Sequence, residues 1–157
     1  MTLDAFETYR EWTPENWNPP GVPGEHEAAL LAERLALPDY WCRFEESGGE
    51  AVGYVVLRDA VTTGNDPRPI PGLAHIWHLF VRPAWWGKGV AKRLHDAAVG
   101  EARRRGCEAI RLWTPAGNAR ARAFYAREGW CETGGEHYAA ELDLALLEYR
   151  RPVMLDS

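Results

Sequence analysis

Residues 81–91 read Val81-Arg82-Pro83-Ala84-Trp85-Trp86-Gly87-Lys88-Gly89-Val90-Ala91, a glycine-rich stretch between two segments of different periodicity. Such a loop lets backbone N–H groups approach an anion closely, and a helix beginning at its end adds a dipole that favours negative charge. A phosphate is the natural tenant. The spacing lacks the third glycine of a dinucleotide fold, and no Gly-Lys-Ser/Thr follows, so neither of those phosphate loops is present. A second constellation lies downstream, where Asn118, Ala121, Phe124, Tyr125 and Gly129 share one frame. Asn118 is a good helix N-cap, and Tyr125 offers a phenolic proton. His75 and His78 offer imidazoles with an ordinary pKa near 6.5, suited to accepting a proton from an ammonium group.

These residues need elements to hold them. Leu73–Val81 is mostly apolar, is bounded by Pro71-Gly72 and Pro83, and predicts a buried strand. Strict alternation puts His75 on one face with Trp77, Leu79 and Val81, and His78 on the other, packed under a helix. Val90, Leu94, Ala97, Ala98 and Ala102 follow a helical spacing that stops at Gly106. Glu108–Trp113 predicts a strand, and Asn118–Glu128 a helix stopped by Gly129. Upstream, Tyr40–Glu45 and Ala51–Leu57 flank Ser47-Gly48-Gly49 as a hairpin, and Asp59–Gly72 reads as a long loop. Residues 1–12 and Glu25–Leu37 read as helices around a proline-rich loop from Pro14 to Gly24 that carries Trp17. Trp130–Thr133 and Glu148–Met154 read as strands, whereas Gly134–Leu147 stays open between strand, helix and loop.

The chain has 157 residues, enough for one domain with a sizeable core, expected to span 1–157. No apolar run approaches the roughly 20 residues of a membrane span. Three widely spaced cysteines, Cys42, Cys107 and Cys131, fit reduced thiols in a cytoplasmic setting and show no metal-type pairing. The net charge is −5, unevenly spread. Residues 82–127 carry eleven Lys/Arg against three acids, a balance of +8, and the remainder seven against twenty, or −13. A basic segment around a phosphate loop in an acidic chain suggests a polyanionic cofactor and a small cationic or aromatic second substrate, not a nucleic acid. Arg103-Arg104-Arg105 fit a structural role at their helix C-terminus.

The order Val81-x-Pro83-x-x-x-Gly87-x-Gly89-x-Ala91 resembles the coenzyme A loop of the GNAT superfamily of N-acetyltransferases, and 118–130 resembles its second signature. The resemblance covers about residues 39–154. It departs at Trp86, where the family usually has Arg or Gln, and the family's usual opening strand is not evident before residue 12. It implies a GNAT-like α/β domain, with a mixed, mostly antiparallel sheet flanked by helices and splayed central strands holding the cofactor. It further implies acetyl transfer from acetyl-CoA to a small-molecule or peptide amine, in a monomer or homodimer, with coenzyme A as product. The pantetheine arm would pair with Leu79, Phe80 and Val81. The amides of Trp86, Gly87, Lys88, Gly89, Val90 and Ala91 would cradle the pyrophosphate, with Lys88, Lys92, Arg93 and Arg82 within reach. Tyr125 would protonate the leaving thiolate, and Asn118 would combine capping with a cofactor contact. The base stays open among His75, a carboxylate such as Glu136, and a water. A coenzyme-binding sensor without turnover is the alternative.

Overall fold

The computed structural model describes residues 9–13, 15, 32–140 and 142–153. Six strands form one sheet in the order β1-β2-β3-β4-β6-β5. They are β1 (Trp41–Ser47), β2 (Glu50–Val61), β3 (Pro69–Val81), β4 (Ala109–Pro115), β5 (Cys131–Ala139) and β6 (Leu144–Pro152). Two helices complete the frame, α1 (Val90–Arg104) and α2 (Ala119–Arg127). Every pairing is antiparallel except that of β3 with β4. That parallel step needs a crossover, and α1 supplies it.

The expected hairpin forms, with Gly48 at φ 59° and Gly49 at φ 83°, the left-handed pair that a two-residue turn demands. The segment expected to be a long loop is mostly strand. β2 runs on to Val61 and β3 begins at Pro69, so their connection is confined to 62–68. The prolines sit at the start of β3, where a missing N–H is tolerated. Gly134–Leu147 resolves into the facing halves of β5 and β6, turning with Asp143 at φ 52°. Tyr9–Glu11 is a short 3₁₀ turn and residues 32–35 are helical; the remainder of the two expected N-terminal helices, and most of the proline-rich loop with Trp17, lie outside the described residues.

The helical spacing read in the sequence is the buried stripe of α1, where Val90, Leu94, Ala98 and Ala102 are each 0–2% exposed. They pack with Val55, Leu57, Ile76, Ile110 and Leu112 in the main core. Full burial of each larger side chain contributes about 1.5–3 kcal/mol.

The face that each β3 residue presents departs from strict alternation. Val56 pairs with His78 but Leu57 with Ile76, so Trp77 is an extra residue, a β-bulge. Cross-strand partners share a face, and the register places Ile76, Leu79 and Val81 with Leu57, Val55 and Gly53 on the α1 side. His75 and His78 pair with Arg58 and Val56, two positions apart on β2, so both histidines lie on the opposite face. The two-face assignment of the histidines is therefore corrected: they share a face, and it is not the face of Leu79 and Val81.

On the α1 side, Gly53 lets the helix approach closely. A Cβ there would lie 2.9 Å from the Phe80 carbonyl oxygen, 3.0 Å from Leu94 Cδ1 and 3.2 Å from Val90 Cγ1. Gly53→Ala is expected to lower unfolding free energy by about 1–3 kcal/mol through overpacking. Chemical denaturation checks this, and an unchanged midpoint would mean that α1 can move away freely.

Candidate active site

β3 and β4 pair only at Leu73–Ala109, Ala74–Ile110 and His75–Arg111. Beyond that rung β3 continues to Val81 and β4 to Pro115 without pairing with each other. The separation opens a cleft of about 1280 Å³. It brings together His75, Leu79, Phe80, Val81, Trp86, Gly87, Gly89, Val90, Ala91, Lys92, Asn118 and Tyr125. Lys88 is not in its lining; its ammonium lies over the Trp85 ring, 4.8 Å from the centroid.

The loop at the cleft mouth turns through Gly87 at φ 73° and Gly89 at φ 81°, conformations that side chains resist. Gly89 is the N-cap of α1, and its carbonyl accepts the Arg93 amide at 3.1 Å. The preceding first-turn amides have no carbonyl one turn earlier, as at any helix start. Trp86, the departure from the family pattern, folds its indole back so that Nε1 donates to the Val81 carbonyl at 2.9 Å. Arg120 from α2 caps its ring at 4.2 Å, a cation–π contact. The tryptophan thus ties the loop to the end of β3.

The cations expected to reach phosphates have internal partners. Lys92 stands 3.2 Å from Asp96 and 3.0 Å from Glu128, whose hydrogen bonds raise its pKa. Its ammonium therefore serves the acidic side of the His95, Asp96 and Glu128 group, the one cluster among the described residues with metal-like spacing. His95 is satisfied on both nitrogens, accepting from Trp130 Nε1 at 2.9 Å and meeting Asp96 at 2.9 Å. Arg93 pairs with Glu45, and Arg82 Nε donates to the Ala51 carbonyl at 2.8 Å. Arg104 and Arg105 bind Glu101, as the structural reading of that turn expects.

Tyr125 is 8% exposed, packed among Phe124, Trp130 and Tyr149 while still facing the cleft. Burial raises its pKa, with a smaller contribution from Tyr9, so the phenol keeps its proton through the neutral range. Asn118 Oδ1 accepts the Ala121 amide at 3.1 Å, leaving its side-chain NH₂ for another partner. Tyr9 and Trp12 come from the N-terminal turn; the sequence marks Trp12 as an aromatic anchor, either packed on the domain or walling a substrate, and gives no sign that Tyr9 reaches the cleft. Tyr9 lines the cleft beside Tyr125, and Trp12 presses so closely on Gly117 that a Cβ there would lie 2.8 Å from the indole.

His75 is 4% exposed, and its Nδ1 accepts from Arg111 Nε at 3.1 Å. The neutral ring then carries its proton on Nε2, so neither nitrogen offers a free lone pair. Burial, followed by the charges of Arg111 and Arg58, holds its pKa well below the ordinary value, contrary to the titration near 6.5 expected from sequence. Tyr54 Oη lies 3.2 Å from His78 Nδ1, and burial with Arg34 and Arg58 brings His78 down to about 4. Glu136 is exposed on β5. Because both histidines bind protons more weakly folded than unfolded, stability is full above about pH 6.5 and declines as pH falls toward 4. Thermal melts from pH 7.5 to 5 are expected to fall less steeply for His78→Gln than for wild type. Parallel curves would show that His78 does not carry the effect.

Solved structures of known proteins share this fold. A ribosomal-protein-alanine N-acetyltransferase from Brucella melitensis superposes with a TM-score of 0.71 at 21% identity, over 96% of this chain and 92% of that one. The ribosomal-protein-S18-alanine N-acetyltransferase from Escherichia coli gives 0.63 at 14% identity, over 99% and 89%. A Bacillus anthracis protein assigned as a streptothricin acetyltransferase, solved with acetyl coenzyme A, gives 0.63 at 21%, over 77% of this chain and 66% of that one. At these identities the likeness establishes the fold. A search of curated proteins finds no match. No helix among the described residues is long and apolar enough to cross a membrane. The Acetyltransferase (GNAT) family model matches residues 3–130, most of the chain, and the protein belongs to that family.

Proposed function

We propose that this single domain transfers an acetyl group from acetyl-CoA to an amine by direct attack within a ternary complex. The observation that carries the reading is the parting of β3 from β4 beyond His75–Arg111, with the glycine loop at its mouth and Tyr125 facing the opening. The free edge of β3 at Leu79, Phe80 and Val81 would bind the amides of the pantetheine arm as an added strand. The Trp86 amide, expected in the cradle, is already donated to the Pro83 carbonyl at 3.1 Å. The amides from Gly87 to Ala91 would hold the pyrophosphate, chiefly by backbone, since Lys92, Arg93 and Arg82 already have partners. Lys88 and the Asn118 side-chain NH₂ would act at its margins.

Chemically, a neutral amine nitrogen attacks the thioester carbonyl carbon. The tetrahedral intermediate collapses with cleavage of the C–S bond, and the departing sulfur takes the Tyr125 proton. The nitrogen's excess proton leaves through water on this reading. His75, whose Nδ1 lone pair is engaged by Arg111, serves as a brace rather than as the base. A sensor without turnover gains no support at Trp86, because the indole closes the loop onto Val81 and leaves the amides from Gly87 to Ala91 to the cradle.

Coenzyme A at about one hundred times its dissociation constant should stabilise the protein by ~2.7 kcal/mol. Calorimetric melts with coenzyme A and acetyl-CoA test this, and the absence of a shift at millimolar ligand overturns the cofactor assignment. Tyr125→Phe should retain coenzyme A affinity while losing about 10²–10⁴-fold in turnover when chemistry limits. Equal single-turnover rates for variant and wild type would return Tyr125 to a packing role.

A further inference from the structure

The face of the sheet opposite α1 carries a charge pattern that acetyl-CoA binding leaves unexplained. Arg58 is the cross-strand partner of His75, and His75 is in turn the partner of Arg111. Two guanidinium-bearing residues therefore flank one histidine at the last paired rung before β3 and β4 part. Both line the cleft. Arg111 is only 3% exposed, donating from Nε to His75 and from Nη1 to the Val61 carbonyl at 3.0 Å. Arg58 donates from Nη1 to the Asp59 carbonyl at 3.0 Å, while its buried Nε has no partner.

Neither guanidinium forms an ion pair among the described residues. Of the nearby acids, Asp59 pairs with Arg105 at 3.2 Å and Glu148 with Arg150 at 3.3 Å and Thr133 at 2.6 Å, while Asp39 acts on Arg58 through space without an ion pair. Desolvation lowers the pKa of both arginines, which nevertheless remain charged. Two partly desolvated cations without a carboxylate are costly, and an incoming anion offsets that cost. The planar fork of arginine matches the paired oxygens of a carboxylate or phosphate.

Resting on the acetyltransferase reading, we propose that the acceptor amine carries its own oxyanion, a carboxylate or phosphate, held by Arg58 and Arg111. The acidic balance of the chain outside 82–127 suggested a cationic acceptor, but the local charge at this end of the cleft has the opposite sign. Trp77 and Trp113 line the same cleft, so an amine with an apolar or aromatic body joined to the oxyanion fits the lining.

The test pairs amines that differ only in the anion: phenylalanine with phenylalaninamide, glycine with glycinamide, and O-phosphoethanolamine with ethanolamine. Thiol release from acetyl-CoA gives kcat/KM for each. Calorimetric titration of N-acetylphenylalanine and its amide into the coenzyme A complex gives a readout independent of turnover. At least one anionic member is expected to exceed its neutral or cationic counterpart by about 10- to 100-fold. The pair that discriminates tells carboxylate from phosphate. Arg58→Gln should erode that ratio mainly through KM while coenzyme A affinity stays intact, and Arg58→Lys should restore part of it. Equal or better use of the uncharged partners, or no preference for any anionic member in transfer or binding, overturns the proposal and leaves the arginines as braces of the β2–β3 connection. Because the wild-type ratios require no variant, misfolding of a variant cannot obscure the result. Failure of the acetyltransferase reading would appear separately, as a protein that neither binds coenzyme A nor releases its thiol.

Discussion

Everything at the site depends on one constraint: parallel strands β3 and β4 hold together for three rungs and then part. Backbone N–H and C=O groups on the two facing edges lose their ladder partners where the strands diverge, and such groups require others. Trp86 supplies one by donating its indole N–H to the Val81 carbonyl. The rest of the exposed edge offers regularly spaced amide chemistry to an extended ligand carrying amides. The same parting opens the sheet between its two layers, so α2 can bring Tyr125 to the cleft from the α1 side while Tyr9 reaches it from the N-terminal turn.

The two faces of the sheet then differ in electrostatics. On the α1 side, cations at the surface meet carboxylates: Lys92 with Asp96 and Glu128, Arg93 with Glu45, Arg104 with Glu101. Exposed pairs of this kind contribute little stability individually, and salt screens them. On the other face Arg58, Arg111, His75 and His78 crowd together with no ion pair to a carboxylate among the described residues, and the histidines respond by staying neutral. An anion cradle at the loop and a cationic pocket at the last rung are thus separate features of one cleft, made by different physics. The first is backbone geometry around Gly87 and Gly89; the second is buried guanidinium charge.

Much of the frame was legible because it rests on local rules. The stripe of α1, the Asn118 cap, the Gly48-Gly49 turn and the left-handed glycines of the loop each follow from residue chemistry within one turn or one hairpin. The bulge at Trp77 was not legible, since an inserted residue leaves no local mark in an apolar run, and it reverses the alternation that assigned faces to His75 and His78. The partners of Lys92 and Arg93 were hidden for a different reason: Glu128 and Glu45 lie far off in sequence and meet the cations only through the fold. Arg111 did carry a signal, a charged residue between Ile110 and Leu112 in a short strand, which points to a guanidinium held beside the core.

The most direct test of this account is a crystal structure of the protein with acetyl-CoA. The account predicts pantetheine amides hydrogen-bonded to the β3 backbone between Leu79 and Val81, pyrophosphate oxygens on the amides of residues 87–91, and the sulfur within hydrogen-bonding distance of the Tyr125 hydroxyl. Acetyl-CoA bound elsewhere, with the β3 edge and the glycine loop vacant, would contradict it.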